Sequence, residues 1–250
     1  MRVMSEIFTE MMDEYDWTEI PVGRWGKADR KMFLLSDKED HTCKLAVKIL
    51  ELKTQLQKKQ FTNEIKILNK AATLLPTRFL EAKQKGKCAV IITRCLPDAT
   101  SWDDPGLTRR AFRRGTRAII RQIHDLHKMN IMHNDLTQKN LMINPKGEAG
   151  LIDFEDAVEF IEGEPSIRYR GSPKFFSPKK DWSAFFSNFT PISEEDLKSY
   201  ESDEETYLQL LENNDQNKEL LPIVWEVFVE EGFGLQDLTR EMQEVISAFI

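Results

Sequence analysis

The chain of 250 residues is long enough to bury a substantial core in one compact domain or a tightly joined pair of lobes. With 40% hydrophobic and 31% charged residues it has an ordinary globular composition, and no apolar run approaches the ~18 residues that a membrane helix needs. The net charge of −7 is unevenly spread: residues 193–250 carry 16 acids against 3 bases, whereas 1–192 carry 26 acids against 32 bases, so a basic body precedes an acidic tail.

The opening MRVMSEIFTEMMDEYDW mixes acids with apolar residues and does not read as a signal peptide, so an N-terminal helix and a cytoplasmic location are expected, with secretion into a host cell left open. Residues 17–50 then alternate as strands: WTEIPVGRW, KADRKMFLL and, after the polar turn SDKEDHT, CKLAVKIL. Phe61, Ile65, Leu68 and Ala72 recur at helical spacing across 54–72. RFLEAK and KCAVIITRCL read as two further strands around Lys85-Gly86. Five strands and one helix make a first lobe, 1–96, hinged near Leu96-Pro97 to a mainly helical second lobe, 97–250. The fold class expected is therefore α+β. Cys43, Cys88 and Cys95 lack CxxC spacing and read as buried thiols rather than a disulfide or zinc framework.

From Leu107 the pattern becomes a long helix with Phe112, Ile119, Ile120, Ile123 and Leu126 on its apolar side. Short strands in IMHND, NLMIN and AGLIDF surround a polar loop. Three helical segments follow the punctuated stretch 163–178: one opening at the capping pattern Ser193-Glu194-Glu195-Asp196, one holding LLPIVWEVFVEE, and one with Leu235, Leu238, Met242, Val245, Ile246 and Phe249 on one face.

The chemistry concentrates in His133-Asn134-Asp135-Leu136-Thr137-Gln138-Lys139-Asn140 and Leu151-Ile152-Asp153-Phe154-Glu155. Phosphoryl transfer from ATP needs a carboxylate near the attacking hydroxyl and hard oxygen ligands for the magnesium ions that bridge the phosphates. The Asp-x-x-x-x-Asn spacing puts Asp135 and Asn140 on one loop edge, and a short hairpin returns Asp153 beside them.

These segments resemble the HRDxxxxN catalytic loop and DFG turn of the protein-kinase-like superfamily. The resemblance implies Asp135 as catalytic base, Asn140 and Asp153 as magnesium ligands, His133 as a packing residue, and ATP and Mg²⁺ as cofactors. In the first lobe, Leu45-Ala46-Val47-Lys48 resembles the VAIK strand, with Lys48 on the phosphates and Glu64 as its ion-pair partner. Gly23 and Gly26, in Gly23-Arg24-Trp25-Gly26, match the second half of a glycine-rich phosphate loop, with Pro21 where its first glycine would stand. Val90 to Leu96 resembles the strand entering an adenine-binding hinge, which places Ala46, Thr93 and Cys95 around the base. Gly171-Ser172-Pro173-Lys174-Phe175-Phe176-Ser177-Pro178, followed by Asp181-Trp182-Ser183, is similar to the end of a kinase activation segment.

The pattern departs from that family at several points. Asn134 replaces the arginine that normally receives an activation-segment phosphate, so phosphorylation at Ser166, Tyr169 or Ser172 is not expected to be needed. Thr137 replaces the usual lysine, and Lys139 stands in as a substitute charge near the γ-phosphate. Glu155 replaces the glycine of DFG, and Lys179 the glutamate of APE. HNDxxxxN with IDFE is also the form of choline-kinase-like and aminoglycoside-phosphotransferase-like enzymes, while Asp-Leu-Thr is similar to Bud32-type kinases. Three functions follow: an atypical serine/threonine protein kinase, favoured by GSPKFFSP; a small-molecule kinase; and a non-catalytic binding protein of kinase shape.

Arg110, Arg113, Arg114, Arg117 and Arg121 form a basic stripe along the long helix, either a receptor for an acidic partner or polyphosphate head group, or a solvated face that can also contact the acidic 193–250 region. His124 and His127 read as packing residues. A protein substrate is expected, and no nucleic-acid partner.

Overall fold

β1 (Tyr15–Ile20), β2 (Arg30–Asp37), β3 (Lys44–Glu51), β4 (Phe79–Lys85) and β5 (Cys88–Arg94) form an antiparallel sheet in the order β1-β2-β3-β5-β4. The computed structural model describes residues 15–20, 30–38, 44–77, 79–102, 106–161, 165–166, 174–175, 177–191 and 204–249. The expectations for the N-terminal helix, Cys43, Pro21, Gly23, Gly26, Tyr169, Ser172 and the capping pattern at Ser193 lie outside these residues.

The period of two along β3 explains how the sheet serves the site. Leu45, Val47 and Ile49 point to one face, where they join Leu35, Val90 and Ile92 in a buried cluster. Lys48 and Leu50 point to the other, where Ala89 and Ile91 meet α1 (Gln55–Ala71). That helix starts sharply. Thr54 Oγ1 accepts from Gln57 N at 3.2 Å while Gln57 Oε1 accepts from Thr54 N at 2.9 Å, a reciprocal cap. Its inner face buries Phe61, Glu64, Ile67, Leu68 and Ala71.

Beyond β5 the chain turns at Asp98 and enters β6 (Thr100–Ser101), which pairs with β8 (Leu141–Ile143). Asn144 Nδ2 donates to the Pro97 carbonyl at 3.1 Å, tying this crossover to the second half of the chain. α2 (Arg109–Lys128), capped by Thr108 Oγ1 on Ala111 N, buries Phe112, Ile119, Ile120, Ile123 and Leu126 as the periodicity required. β7 (Ile131–Met132) pairs with β10 (Val158–Glu159), and β8 forms a hairpin with β9 (Ala149–Leu151). The hairpin turns at Gly147, whose φ of +75° favours glycine and whose added Cβ would sit 2.8 Å from the Ala111 carbonyl. β11 (Pro165–Ser166) pairs with β12 (Lys174–Phe175).

α3 (Pro178–Ser187), α4 (Glu204–Glu230) and α5 (Arg240–Phe249) follow among the described residues. α3 was not among the expected helices, although its start is written in the sequence: Ser177 caps Lys179 N and Pro178 takes the first helical position. α5 buries Met242 and Ile246, but Phe249, expected on that face, is 45% exposed. The outcome is α+β as expected: among the described residues, a five-stranded sheet with one helix joined to a mainly helical remainder.

The basic stripe on α2 is engaged from within. Arg113 pairs with Glu226 and Glu230, Arg117 with Glu230 and Glu231, and Arg121 with Glu231 through two hydrogen bonds of 2.7 and 3.0 Å. Of the two readings of the stripe, contact with the acidic C-terminal region holds for three of its five arginines, which pair with the chain's own α4 and the turn after it. Such pairs contribute only ~0.2–1 kcal/mol each when half exposed, and their chief effect is to fix α4 against α2. Among the described residues, no helix is long and apolar enough to cross a membrane.

Candidate active site

Lys48 lies at the centre of the site, and its surroundings are acidic. Its Nζ stands 2.9 and 3.1 Å from the two oxygens of Glu64, 2.9 Å from Asp153 Oδ1 and 3.7 Å from Glu155 Oε2. Burial alone pulls an ammonium's pKa down, but here the carboxylates of Glu64, Asp153 and Glu155 outweigh it and hold the Lys48 pKa above its ordinary value. The Glu64 carboxyl is raised, first by burial and then by Asp153 and Glu155, with Lys48 opposing both. Lys48 is therefore shared by three carboxylates.

The loop bearing Asp135 is held from beneath by Asp181, which is 2% exposed. Asp181 Oδ2 accepts from His133 N at 2.8 Å, Oδ1 accepts from Asn134 N at 2.9 Å, and His127 Nε2 lies 3.1 Å from Oδ2. His127 also meets Trp182 edge-on, so the packing role expected for it holds and gains a polar contact. His124 packs on Phe233. His133 is fully buried, with Nε2 2.9 Å from the Ile152 carbonyl and its ring 4.6 Å from that of Phe154, which fixes the Asp153 turn against the loop. Asn134 has a φ of 69°, a left-handed conformation that asparagine tolerates well, and its Nδ2 donates to the Asp156 carbonyl at 3.0 Å.

Asn140, 3% exposed, donates from Nδ2 to both the carbonyl and Oδ2 of Asp135 at 2.8 Å. The amide oxygen remains its acceptor. Ile152 N donates to the Asn140 carbonyl at 3.0 Å, so the hairpin delivers Asp153 directly beside Asn140. Asp153 itself has a φ of 60°, and its side chain is 38% exposed. Hard oxygens from one exposed carboxylate and one amide suit Mg²⁺, which is held by one or two protein carboxylates and completes its shell with phosphate and water. Among the described residues, no group of three or more His, Cys, Asp or Glu could hold a metal ion.

The structure thus brings together Lys48, Glu64, Asp135, Asn140 and Asp153. Ala46 and Thr93 face each other across β3 and β5, and Cys95 N donates to the Lys44 carbonyl at 2.9 Å, placing all three at the end of the sheet that leads to the crossover. Cys88 and Cys95 form no disulfide. Lys139 is exposed on a 3-10 turn, Gln138–Asn140. Three features were missed from sequence: the buried proximity of Glu155 to Lys48, the anchoring role of Asp181, and the attachment of α1 to β10. The Asp181-Trp182 dipeptide was the available signal for the second; the other two depend on contacts between distant segments.

Comparison with known proteins fits this geometry. A family model described as protein kinase domain matches residues 31–180. The probable serine/threonine-protein kinase mkcD of Dictyostelium discoideum is 43% identical over 63 residues, 25% of this chain and 10% of that protein. Its counterpart mkcE is 37% identical over 65 residues, 26% of this chain and 9% of that protein. A cGMP-dependent protein kinase of Drosophila melanogaster, isozyme 2 forms cD5/T2, is 30% identical over 84 residues, 34% of this chain and 8% of that protein. The chain belongs to the protein kinase domain family, and the matched stretches span a tenth or less of these curated relatives.

Proposed function

We propose that the chain transfers the γ-phosphoryl group of Mg-ATP to a serine or threonine hydroxyl of a protein. The observation that carries this reading is the convergence of Lys48 from β3 and Glu64 from α1 with Asp135, Asn140 and Asp153, with Lys48 already paired to Glu64. In this reading Asp135 accepts the proton of the attacking hydroxyl, held in place by Asn140 Nδ2. Lys48, oriented by Glu64, holds the α- and β-phosphates at the sheet. Asn140 and Asp153 hold Mg²⁺, which neutralises phosphate charge when bound. Ala46, Thr93 and Cys95 border the adenine, and Lys139 stands near the γ-phosphate. The division near Leu96-Pro97 separates nucleotide-holding residues from those that act on the acceptor.

A non-catalytic reading is disfavoured because Lys48, Asp135 and Asp153 are all present and the Lys48–Glu64 pair is formed. A small-molecule acceptor is the second reading, supported by Glu155 in place of glycine beside Lys48. The deciding experiment incubates purified protein with labelled ATP and Mg²⁺ and offers protein substrates, peptides and amino-alcohols in parallel. Label on serine or threonine of a protein is expected. Label only on an amino-alcohol would select the second reading, and no label on any acceptor would refute transfer altogether.

A further inference from the structure

Glu64 can hold Lys48 only while α1 keeps its position, and three contacts fasten the outer face of that helix to the chain that follows Asp153. Asn63 Nδ2 donates to the Ala157 carbonyl at 2.8 Å. Lys66 Nζ bonds Glu159 Oε2, and Lys70 Nζ lies 2.9 Å from Glu159 Oε1 and 3.1 Å from the Met129 carbonyl. Lys66 and Lys70 are four residues apart on one helical face, where two like charges repel unless a counterion lies between them. Glu159 is that counterion, and the two ammonium groups hold its carboxyl below its ordinary pKa. Its backbone is equally well placed: in β10, Glu159 stands opposite Ile131 of β7, the strand that runs into His133 and Asp135.

We propose that Glu159 is a positioning residue: its carboxylate clamps Lys66 and Lys70, and so fixes α1 and Glu64 against the Asp135 loop without any added phosphate. The inference rests on the proposed role of Lys48 and Glu64. It also gives a physical cause for activity without phosphorylation, because Asn134 is committed to the Asp156 carbonyl while a carboxylate built into the chain supplies the negative charge that α1 needs.

The test pairs Glu159→Lys with the swapped variant Glu159→Lys/Lys66→Glu/Lys70→Glu and reads two quantities. The first is hydrogen exchange of the α1 amides, which requires no turnover. The second is kcat and the ATP KM. Glu159→Lys is expected to speed α1 exchange and lower kcat about tenfold with little change in KM, the signature of a misplaced group rather than lost binding. The swap is expected to return both to within about threefold of the parent chain, which a general loss of stability would not allow. Should Glu159→Lys fail to fold, Glu159→Gln and Lys70→Gln read the same exchange with a smaller expected change. Unchanged α1 exchange in the single variants, or no recovery in the swap, would overturn the clamp. Collapse of both readouts on phosphatase treatment of the parent would overturn it too. A parent chain that transfers no phosphate to any acceptor would refute the proposed function, while the exchange comparison still decides the clamp.

Discussion

Replacing Asp181 by alanine should disable the site from a position that never meets the reactants. Its two oxygens accept from the backbone N–H groups of His133 and Asn134 at 2.8 and 2.9 Å, and the side chain is almost wholly buried. Each donor left without a partner costs ~1–3 kcal/mol, so removing both destabilises the fold by about 3 kcal/mol. For a chain of this size that is a fall in thermal midpoint of roughly 6–12 °C. The catalytic cost is separate. The freed loop lets Asp135 and Asn140 drift, and a misplacement of about 1 Å can cost ~100-fold in rate. Gly147→Ala serves as the comparison, because strain at φ +75° and the clash with the Ala111 carbonyl destabilise the β8–β9 hairpin that follows the Asp135 loop without touching Asp181. Differential scanning fluorimetry and ATP turnover below both midpoints are the assays. If Asp181→Ala lost no more activity than a Gly147→Ala variant of equal stability, the anchoring argument would be refuted.

Three further outcomes follow from the geometry. Asp153→Ala should retain the fold and lose Mg²⁺-dependent transfer, and unchanged turnover in the folded variant would remove Asp153 from the metal site. Lys48→Met should lower kcat by at least about a hundredfold, whereas Glu64→Gln, which only loosens the lysine, should cost less; the reverse order would point to another cation on the phosphates. The ion pairs that α2 makes with Glu231, just beyond α4, should weaken in acid. The Glu231 carboxyl is held below its ordinary 4.5, mainly by the Arg121 hydrogen bonds, so its contribution is complete above that value and is lost as pH falls through the lowered one. The difference in thermal midpoint between the parent and Glu231→Gln should therefore shrink in acid, and a constant difference would count against the pairing.

The legible parts of the molecule were those whose signal is local. The alternation of LAVKIL fixed which face of β3 carries Lys48, and the spacing of 133–153 gathered Asp135, Asn140 and Asp153, because a short hairpin leaves the chain few alternatives. The Arg113, Arg117 and Arg121 stripe was visible as a charge pattern, but its partner is more than a hundred residues away and only the fold selects α4 over an external ligand. Similarly, Glu159 is an unremarkable acid until β10 pairs with β7 and brings it beneath α1. α3 was overlooked for a different reason: similarity to an activation segment drew Pro178 and Asp181 into separate motifs, although one cap and one helix contain both.

The buried cluster that includes Leu52, Phe61 and Ile91 also contains Leu221, Val227 and Ile246, so its apolar surface cannot be closed until the final helices exist. During synthesis at ~5–20 residues per second, the sheet and α1 would emerge roughly ten seconds before α4 is available to seal that core. Nascent chains should accordingly spend that interval with exposed apolar surface, and yield in expression should respond to chaperone supply more than to changes at the active site.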